Sequence, residues 1–267
     1  MNRPAHKLVV TGAAPEGARD RESSARAVQA MFTSIAPRYD LLNHVLSCSI
    51  DRVWWRRASQ TFSHIIGRKN AVILDLCCGT GDQTFALLSQ AQKRQLRKTD
   101  PESLAQSPGL PRFVGADFSH AMLQRARAKS TGTPLHWVEA DALILPFADA
   151  QFDLITSAFG FRNLADYDAG LREIVRLLKP GGECGILDFG EPTGVVGKLY
   201  RVYFKRILPR IGTLISGVKG PYSYLPASVE RFPLPQEMLN RMRGAGFRKA
   251  TWTPYTFGIA GLYRGWK

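Results

Sequence analysis

The chain has 267 residues, 45% of them apolar, and a formal net charge of +14 at neutral pH. That length and apolar share exclude a wholly disordered or fibrous chain and suit a single large α/β domain with a sizeable core. The charge points to an anionic partner, nucleic acid or an acidic lipid surface, and it is uneven: from Gly197 onward 13 Lys/Arg stand against 2 Asp/Glu.

Residues 1–24 mix Pro, Gly and both charge signs and are expected to form a disordered tail ahead of one domain over 25–267. No long apolar stretch opens the chain, so no signal peptide is expected, and no segment reaches the ~20 apolar residues of a membrane span. Helical spacing of Val28, Met31, Phe32 and Ile35 begins near Ala25 and is broken at Pro37. A second helical stretch, RYDLLNHVLSCSIDRVWWRRA, carries Trp54 and Trp55, and together these form a helical cap over 25–70.

Strands and helices then alternate. AVILDLC is a continuous apolar run, the mark of a strand buried on both faces, and a helix is predicted over 82–92. RFVGAD, LHWVEAD, FDLITSAF and CGILDF read as the following strands, with helices over 120–130 and 166–178, the latter stopped by KPGG. Residues 91–112 break the rhythm and are expected to be an inserted surface loop in a cofactor-binding core of 71–190. Beyond it, GKLYRVYFKRILPRIGTLISG is amphipathic, with Lys198, Arg201 and Lys205 on one helical face. PYSYLPASVERFPLP reads as turn-rich, PQEMLNRMRGAGF as a helix, and the last twenty residues as a closing hairpin. The alternation predicts a parallel sheet covered on both faces.

Three strand ends concentrate chemistry. In LDLCCGTGD, Gly79 and Gly81 permit a tight turn that lets the backbone approach a ligand. The flanking Asp75 and Asp82 suit a ligand with positive charge better than a pyrophosphate, and a third glycine of the dinucleotide pattern is missing. Asp117 in GADFS is placed to accept hydrogen bonds from ribose hydroxyls, and Asp141 with Ala142 in EADALILPF to face an adenine. Singly, each such Asp also suits a helix cap or turn. At the end of the fourth strand, SAFGFRNL sets Arg162 and Asn163 directly after an apolar run. The four cysteines, Cys48, Cys77, Cys78 and Cys184, form no CxxC pair, which fits a reducing compartment; the five histidines offer no ligand spacing for a metal.

LDLCCGTGD, GADFS, EADALILPF and LKPGG resemble the successive motifs of class I S-adenosylmethionine-dependent methyltransferases. FTSIAPRYDLLNHVLSCSIDRVWWR, FDLITSAFGFRNLADYDAGLREIVRLLKPGG and LPRIGTLISG with PYSYLPASVERFP further resemble the UbiE/MenG/Coq5 family of quinone C-methyltransferases, from about Val28 to Trp266. The resemblance implies a Rossmann-like, mostly parallel seven-stranded sheet ending in an antiparallel hairpin. It implies S-adenosyl-L-methionine as cofactor and a reduced demethylmenaquinone as acceptor, with a methoxylated polyprenyl benzoquinol of ubiquinone synthesis as the alternative. Thr80, Asp117, Asp141 and Ala142 match the family's cofactor contacts, and Arg162, Asn163, Tyr39 and Asp40 match its signatures. Ala158 stands where Ser is usual, leaving Ser157 beside it as the candidate contact; His44 replaces a common Asp. Arg162, Asn163, Tyr39 and Asp141 are the expected catalytic set, with Arg162 paired to Asp166 or Asp168 as the structural alternative. A cytoplasmic enzyme lying peripherally on the inner membrane face is expected, with Leu199–Ile215 and the YSYL aromatics as its apolar groove, and a homodimer or quinone-synthesis complex as possible assemblies. A nucleic-acid methyltransferase is the distant alternative; the Pro-Pro pair of base-flipping amino methyltransferases is missing, and no nucleic-acid partner is expected.

Overall fold

The computed structural model describes residues 11–13, 15, 17–40, 47, 49–96, 110–192, 194, 197, 200, 202–203 and 221–267. Seven strands form one sheet in the order β3-β2-β1-β4-β5-β7-β6. They are β1 Val72–Leu76, β2 Arg112–Asp117, β3 Leu135–Glu139, β4 Phe152–Ala158, β5 Leu178–Phe189, β6 Lys249–Tyr255 and β7 Ala260–Trp266. The first five pair in parallel; β7 runs antiparallel between β5 and β6, as the closing hairpin predicts. β1 is buried along its whole length, which is why VILDL lacks a polar alternation. From β1 the order runs outward through β2 and β3 on one side and through β4 and β5 on the other. The carboxyl ends of β1 and β4 therefore flank the crevice where such sheets bind ligands.

The helices whose bounds fall among the described residues are α1 Arg21–Ile35, α2 Ile50–Thr61, α3 Ser63–Ile66, α4 Asp82–Leu96, α5 His120–Lys129, α6 Tyr167–Leu177, α7 Pro221–Arg231 and α8 Pro235–Ala245. They cover both faces of the sheet. One core joins Leu74, Phe152 and Ile186 to Leu171 and Ile174 of α6 and Met238 and Met242 of α8. The other joins Ile73, Leu154 and Leu187 to Trp54 and Trp55 of α2, Phe62, and Leu87 of α4. In α6 the buried Tyr167, Gly170, Leu171, Ile174 and Leu177 make one apolar stripe, and Asp166 caps it by accepting from the Ala169 N–H at 3.0 Å.

Several boundaries differ from the sequence pattern. Helix α1 starts at Arg21 because Asp20 and Ser23 form a capping box. The expected loose tail over 1–24 is in part ordered: the Gly12 and Ala13 N–H groups bond the carbonyls of Ala165 and Leu164 at 3.2 and 2.8 Å. Residues 1–10 lie outside the described residues. Of the expected loop over 91–112, residues 91–96 belong to α4 and Arg112 opens β2, while residues 97–109 lie outside the described residues. Ser49, at a left-handed φ of 60°, separates α2 from the chain before it. Helix α6 ends at Leu177, just before KPGG as expected, but β5 already begins at Leu178: its register jumps from Phe152↔Leu178 to Leu154↔Glu183, so KPGG forms a bulge within the strand. PYSYLPASVER, read as turns, is the helix α7, with Pro226 inside it. Ser228 and Val229 are buried there and Phe232 just past its end, so packing outweighs the low propensity. His44, Cys48 and the expected Lys198, Arg201, Lys205 face with most of Leu199–Ile215 lie outside the described residues.

Candidate active site

After Leu76 the chain turns sharply. Cys77, Gly79 and Gly81 take φ of 54°, 55° and 91°, and a Cβ on Gly81 would come within 2.7 Å of Trp137. Asp117, at the end of β2, holds this turn. One of its carboxylate oxygens accepts from the Gly79 N–H at 2.8 Å, the other from the Ser119 N–H at 2.9 Å. Burial pushes its pKa up to about 6, against those two N–H donors, which favour the ion. Asp75 is spent inside the fold. It accepts from Thr84 Oγ1 at 2.6 Å and from Thr156 Oγ1 at 3.0 Å, its register partner on β4. Burial raises it to about 7. Its role is to join β1, β4 and α4 beneath the site.

The cap closes onto the same loop. Thr80 Oγ1 donates to Asp40 at 2.5 Å. Lys129, the last residue of α5, reaches Asp40 at 2.7 Å and both Asp82 and Thr80 at 3.0 Å. Lys129 gives no signal in the sequence, because only the fold brings the end of α5 to the cap. Tyr39 packs edge-on to Phe32 at 6.0 Å and sits over Gly79.

Across β4 the chemistry changes. Phe159 takes a left-handed φ of 57°, and a 3-10 turn, Phe161–Asn163, follows. Arg162 is 6% exposed. Its backbone N–H and its Nη1 donate to the two oxygens of Asp188 at 3.0 and 2.9 Å, Nη1 also donates to the Phe159 carbonyl, and the guanidinium lies 5.1 Å from the Phe189 ring. Its partner is thus neither Asp166 nor Asp168. Asp166 caps α6 and pairs with Arg21, and Asp168 pairs with Arg241 at 2.8 Å. Asp188 escapes sequence reasoning because β4 and β5 meet only through the sheet register, Ala158↔Leu187. The Arg162 Nε is buried with no hydrogen-bond partner. Tyr224 donates to Asn163 Oδ1 at 3.2 Å, and the amide nitrogen donates one N–H to the Phe159 carbonyl at 3.5 Å, which leaves its second N–H as a donor.

A cavity of about 340 Å³ joins these parts. On the β1–β3 side its wall carries Asp75, Gly79, Thr80, Asp82, Asp117, Asp141 and Ala142. On the β4–β5 side it carries Arg162, Asn163, Phe159 and Phe189, with Trp54 and Leu225 beyond; Tyr39 also lines it. One side is acidic, the other aromatic with one cation. Gly81 and Ser157 are not on the wall: Gly81 packs under Trp137, and strand alternation turns Ser157 into the interior, 1% exposed, while Ala158 lines the cavity. Asp141 is exposed at the wall, with Oδ1 accepting from the Leu143 N–H at 2.9 Å. Among the described residues no His, Cys, Asp and Glu cluster could hold a metal.

Residues 19–267 match the model of the ubiE/COQ5 methyltransferase family. The chain belongs to that family. It is 44% identical over 250 residues to a demethylmenaquinone methyltransferase of Deinococcus radiodurans, covering 92% of this chain and 95% of that one. It is 45% identical over 238 residues to a demethylmenaquinone methyltransferase of Thermus thermophilus, covering 88% and 99%. Among solved structures, a methyltransferase of Thermotoga maritima described as a possible histamine N-methyltransferase superposes with a TM-score of 0.59. It is 16% identical and covers 90% of this chain and 99% of that one, a likeness of fold alone. The ubiE/COQ5 membership and the class I Rossmann-like fold make this an S-adenosylmethionine-dependent methyltransferase. The cavity fits that cofactor, because the carboxylates on its acidic side suit a sulfonium and an ammonium better than a pyrophosphate.

Proposed function

We propose that this methyltransferase C-methylates the ring of reduced demethylmenaquinone, working at the surface of a membrane. The observation that carries the reading is the division of one cavity into an acidic end and an Arg162–Asn163 end. The names of the two relatives at 44% and 45% identity support the same acceptor. On this reading Thr80, Asp82, Asp117, Asp141 and Ala142 hold the cofactor at the acidic end, with Gly79 giving its backbone room. S-adenosylmethionine, when bound, supplies an electrophilic methyl group. The acceptor carbon becomes nucleophilic once the neighbouring phenol loses its proton, and a free phenol titrates at about 10.

Arg162, which lines the cavity and is held in place by Asp188, supplies a fixed positive charge toward that oxygen. Asn163, aimed by Tyr224, donates to the same oxygen or to a water. Asp141 takes the proton, directly or through water, and Tyr39 closes the relay. After methyl transfer the ring carbon would lose its proton to Asp141 or its water, and a proton returned to the oxygen would restore the aromatic quinol, one proton in all passing to solvent. Alignment of donor and carbon in the closed cavity supplies a large share of the acceleration.

The test is Arg162→Lys on demethylmenaquinol kept reduced in detergent. Turnover is expected to fall by about 100-fold or more, the scale set by removing one charge-stabilising donor, while cofactor affinity stays within about threefold. Equal losses of turnover and cofactor affinity would remove Arg162 from the acceptor side.

A further inference from the structure

Lys129 is the last residue of α5, and its ammonium meets three groups from two other stretches of chain. It lies 2.7 Å from Asp40 Oδ2, 3.0 Å from Asp82 Oδ1 and 3.0 Å from Thr80 Oγ1. An ammonium has three N–H donors and no acceptor, so all three are engaged. Thr80 Oγ1 therefore accepts from Lys129, and its own hydrogen goes to Asp40 Oδ1 at 2.5 Å. Both oxygens of Asp40 are thus held, and Lys129, Asp40 and Thr80 close a ring of hydrogen bonds. A cation in the last turn of a helix is ordinary by itself, because it suits the helix dipole. The dipole does not explain why this cation gathers a carboxylate of the cap together with Thr80 and Asp82.

The ring sits where the cap meets the acidic end of the cavity. Thr80 and Asp82 line that cavity, as does Tyr39, whose ring lies over Gly79. Asp40 follows Tyr39 directly, so holding both its carboxylate oxygens restrains that backbone against the Gly-rich turn. Helix α1 is docked nearby by uncharged groups: Gln29 Nε2 donates to the Phe118 carbonyl at 2.5 Å, and the Thr33 and Ser119 hydroxyls stand 3.4 Å apart. The Lys129 contacts differ in being charged and partly open to water, with side-chain exposures of 30% for Lys129, 23% for Asp40 and 21% for Asp82. Pairs this exposed contribute little each, enough to bias a cap between open and closed and too little to lock it. A cofactor enclosed by a cap must enter, and its product leave, in every turnover, which calls for a closure of that strength. We propose that Lys129 is a positioning residue that latches the N-terminal cap, through Asp40, over the cofactor end of the cavity. The proposal rests on the reading above that the acidic end holds the cofactor. With the latch broken a smaller fraction of the chain is closed, and apparent cofactor affinity falls in proportion.

Calorimetric titration with S-adenosylhomocysteine, together with steady-state kinetics, tests it. Lys129→Met should raise that Kd and the KM for S-adenosylmethionine about five- to tenfold, and leave kcat on a short-tailed demethylmenaquinol within about threefold. Lys129→Gln, a donor without the charge, should behave like Lys129→Met, whereas Lys129→Arg keeps most of the affinity. Asp40→Asn should weaken binding as well, and adding it to Lys129→Met should cost little more, because the two act through one contact. Hydrogen exchange of the cofactor-free protein reads the cap itself: the peptide holding Tyr39 and Asp40 should exchange about five- to tenfold faster in Lys129→Met, with β1 unchanged. Losses that simply add in the double variant, or a lower melting temperature with KM and exchange unchanged, overturn the latch. Asp117→Asn separates the two readings. If it weakens cofactor binding while Lys129→Met does not, the cofactor end stands and the latch falls; if neither weakens binding, the acidic end is not the cofactor site and both fall.

Discussion

Asp117 and Asp188 are both buried carboxylates at strand ends, and they serve opposite ends of the cavity. Asp117 has its pKa raised to about 6 by burial. If its ion holds the cofactor ribose, affinity is level above about pH 6 and weakens as the pH falls through it, because protonation removes an acceptor. Asp117→Asn should bind S-adenosylhomocysteine about 10- to 100-fold more weakly and lose that pH dependence, as calorimetric titration would record. A variant that keeps the pH profile would place the titrating group elsewhere, with Asp75 the next candidate. Asp188 pairs with Arg162 and fixes its direction, with no exposed surface of its own. Removing it leaves a buried guanidinium uncompensated, so Asp188→Ala should cost about 3–5 kcal/mol in denaturant unfolding. A loss below 1 kcal/mol would mean that Arg162 finds water or another partner there.

Elements differ in how openly the sequence declares them. The β1 strand and the Gly-rich turn are legible because a both-faces-buried strand must be apolar throughout, and because positive φ at Gly79 and Gly81 calls for glycine. The hairpin β6–β7 and α8 with its Gly246 cap are legible for similar local reasons. Helix α7 is not, since its prolines and aromatics are turn signals in isolation and it is held by the burial of Ser228, Val229 and, just past its end, Phe232. Asp188 and Lys129 are likewise hidden, as each meets its partners through the fold rather than along the chain. The ordered strap at residues 11–13 was equally silent locally. It runs so close to the loop before α6 that a Cβ on Gly12 would lie 2.0 Å from the Leu164 carbonyl oxygen. Gly12→Ala should therefore lift the strap and cost about 1–3 kcal/mol, seen as a lower melting temperature and faster proteolysis ahead of α1. An unchanged melting temperature would show that the strap contributes nothing to stability.

Over the whole molecule the site carries a stability penalty that follows pH. Asp75 is held near 7 by burial while an exposed carboxyl titrates at 3.8, so between these values the unfolded chain releases its proton first. The stability this group contributes is therefore full below about pH 4 and declines as the pH rises to about 7. Asp75→Asn should flatten that decline, gaining on the parent chain between pH 4.5 and 7.5 in thermal unfolding, whatever its constant offset from the altered hydrogen bonds. A gap that stays constant with pH would show Asp75 to be ionised in the fold throughout. What the enzyme does is decided most directly by following labelled methyl from S-adenosylmethionine into a mixture of reduced demethylmenaquinone and a methoxylated polyprenyl benzoquinol, with the product identified by mass and carbon spectra. The expected result is label on a ring carbon of the naphthoquinol, with both phenolic oxygens free. Label on oxygen, or transfer to neither quinol while the cofactor still binds, would contradict it.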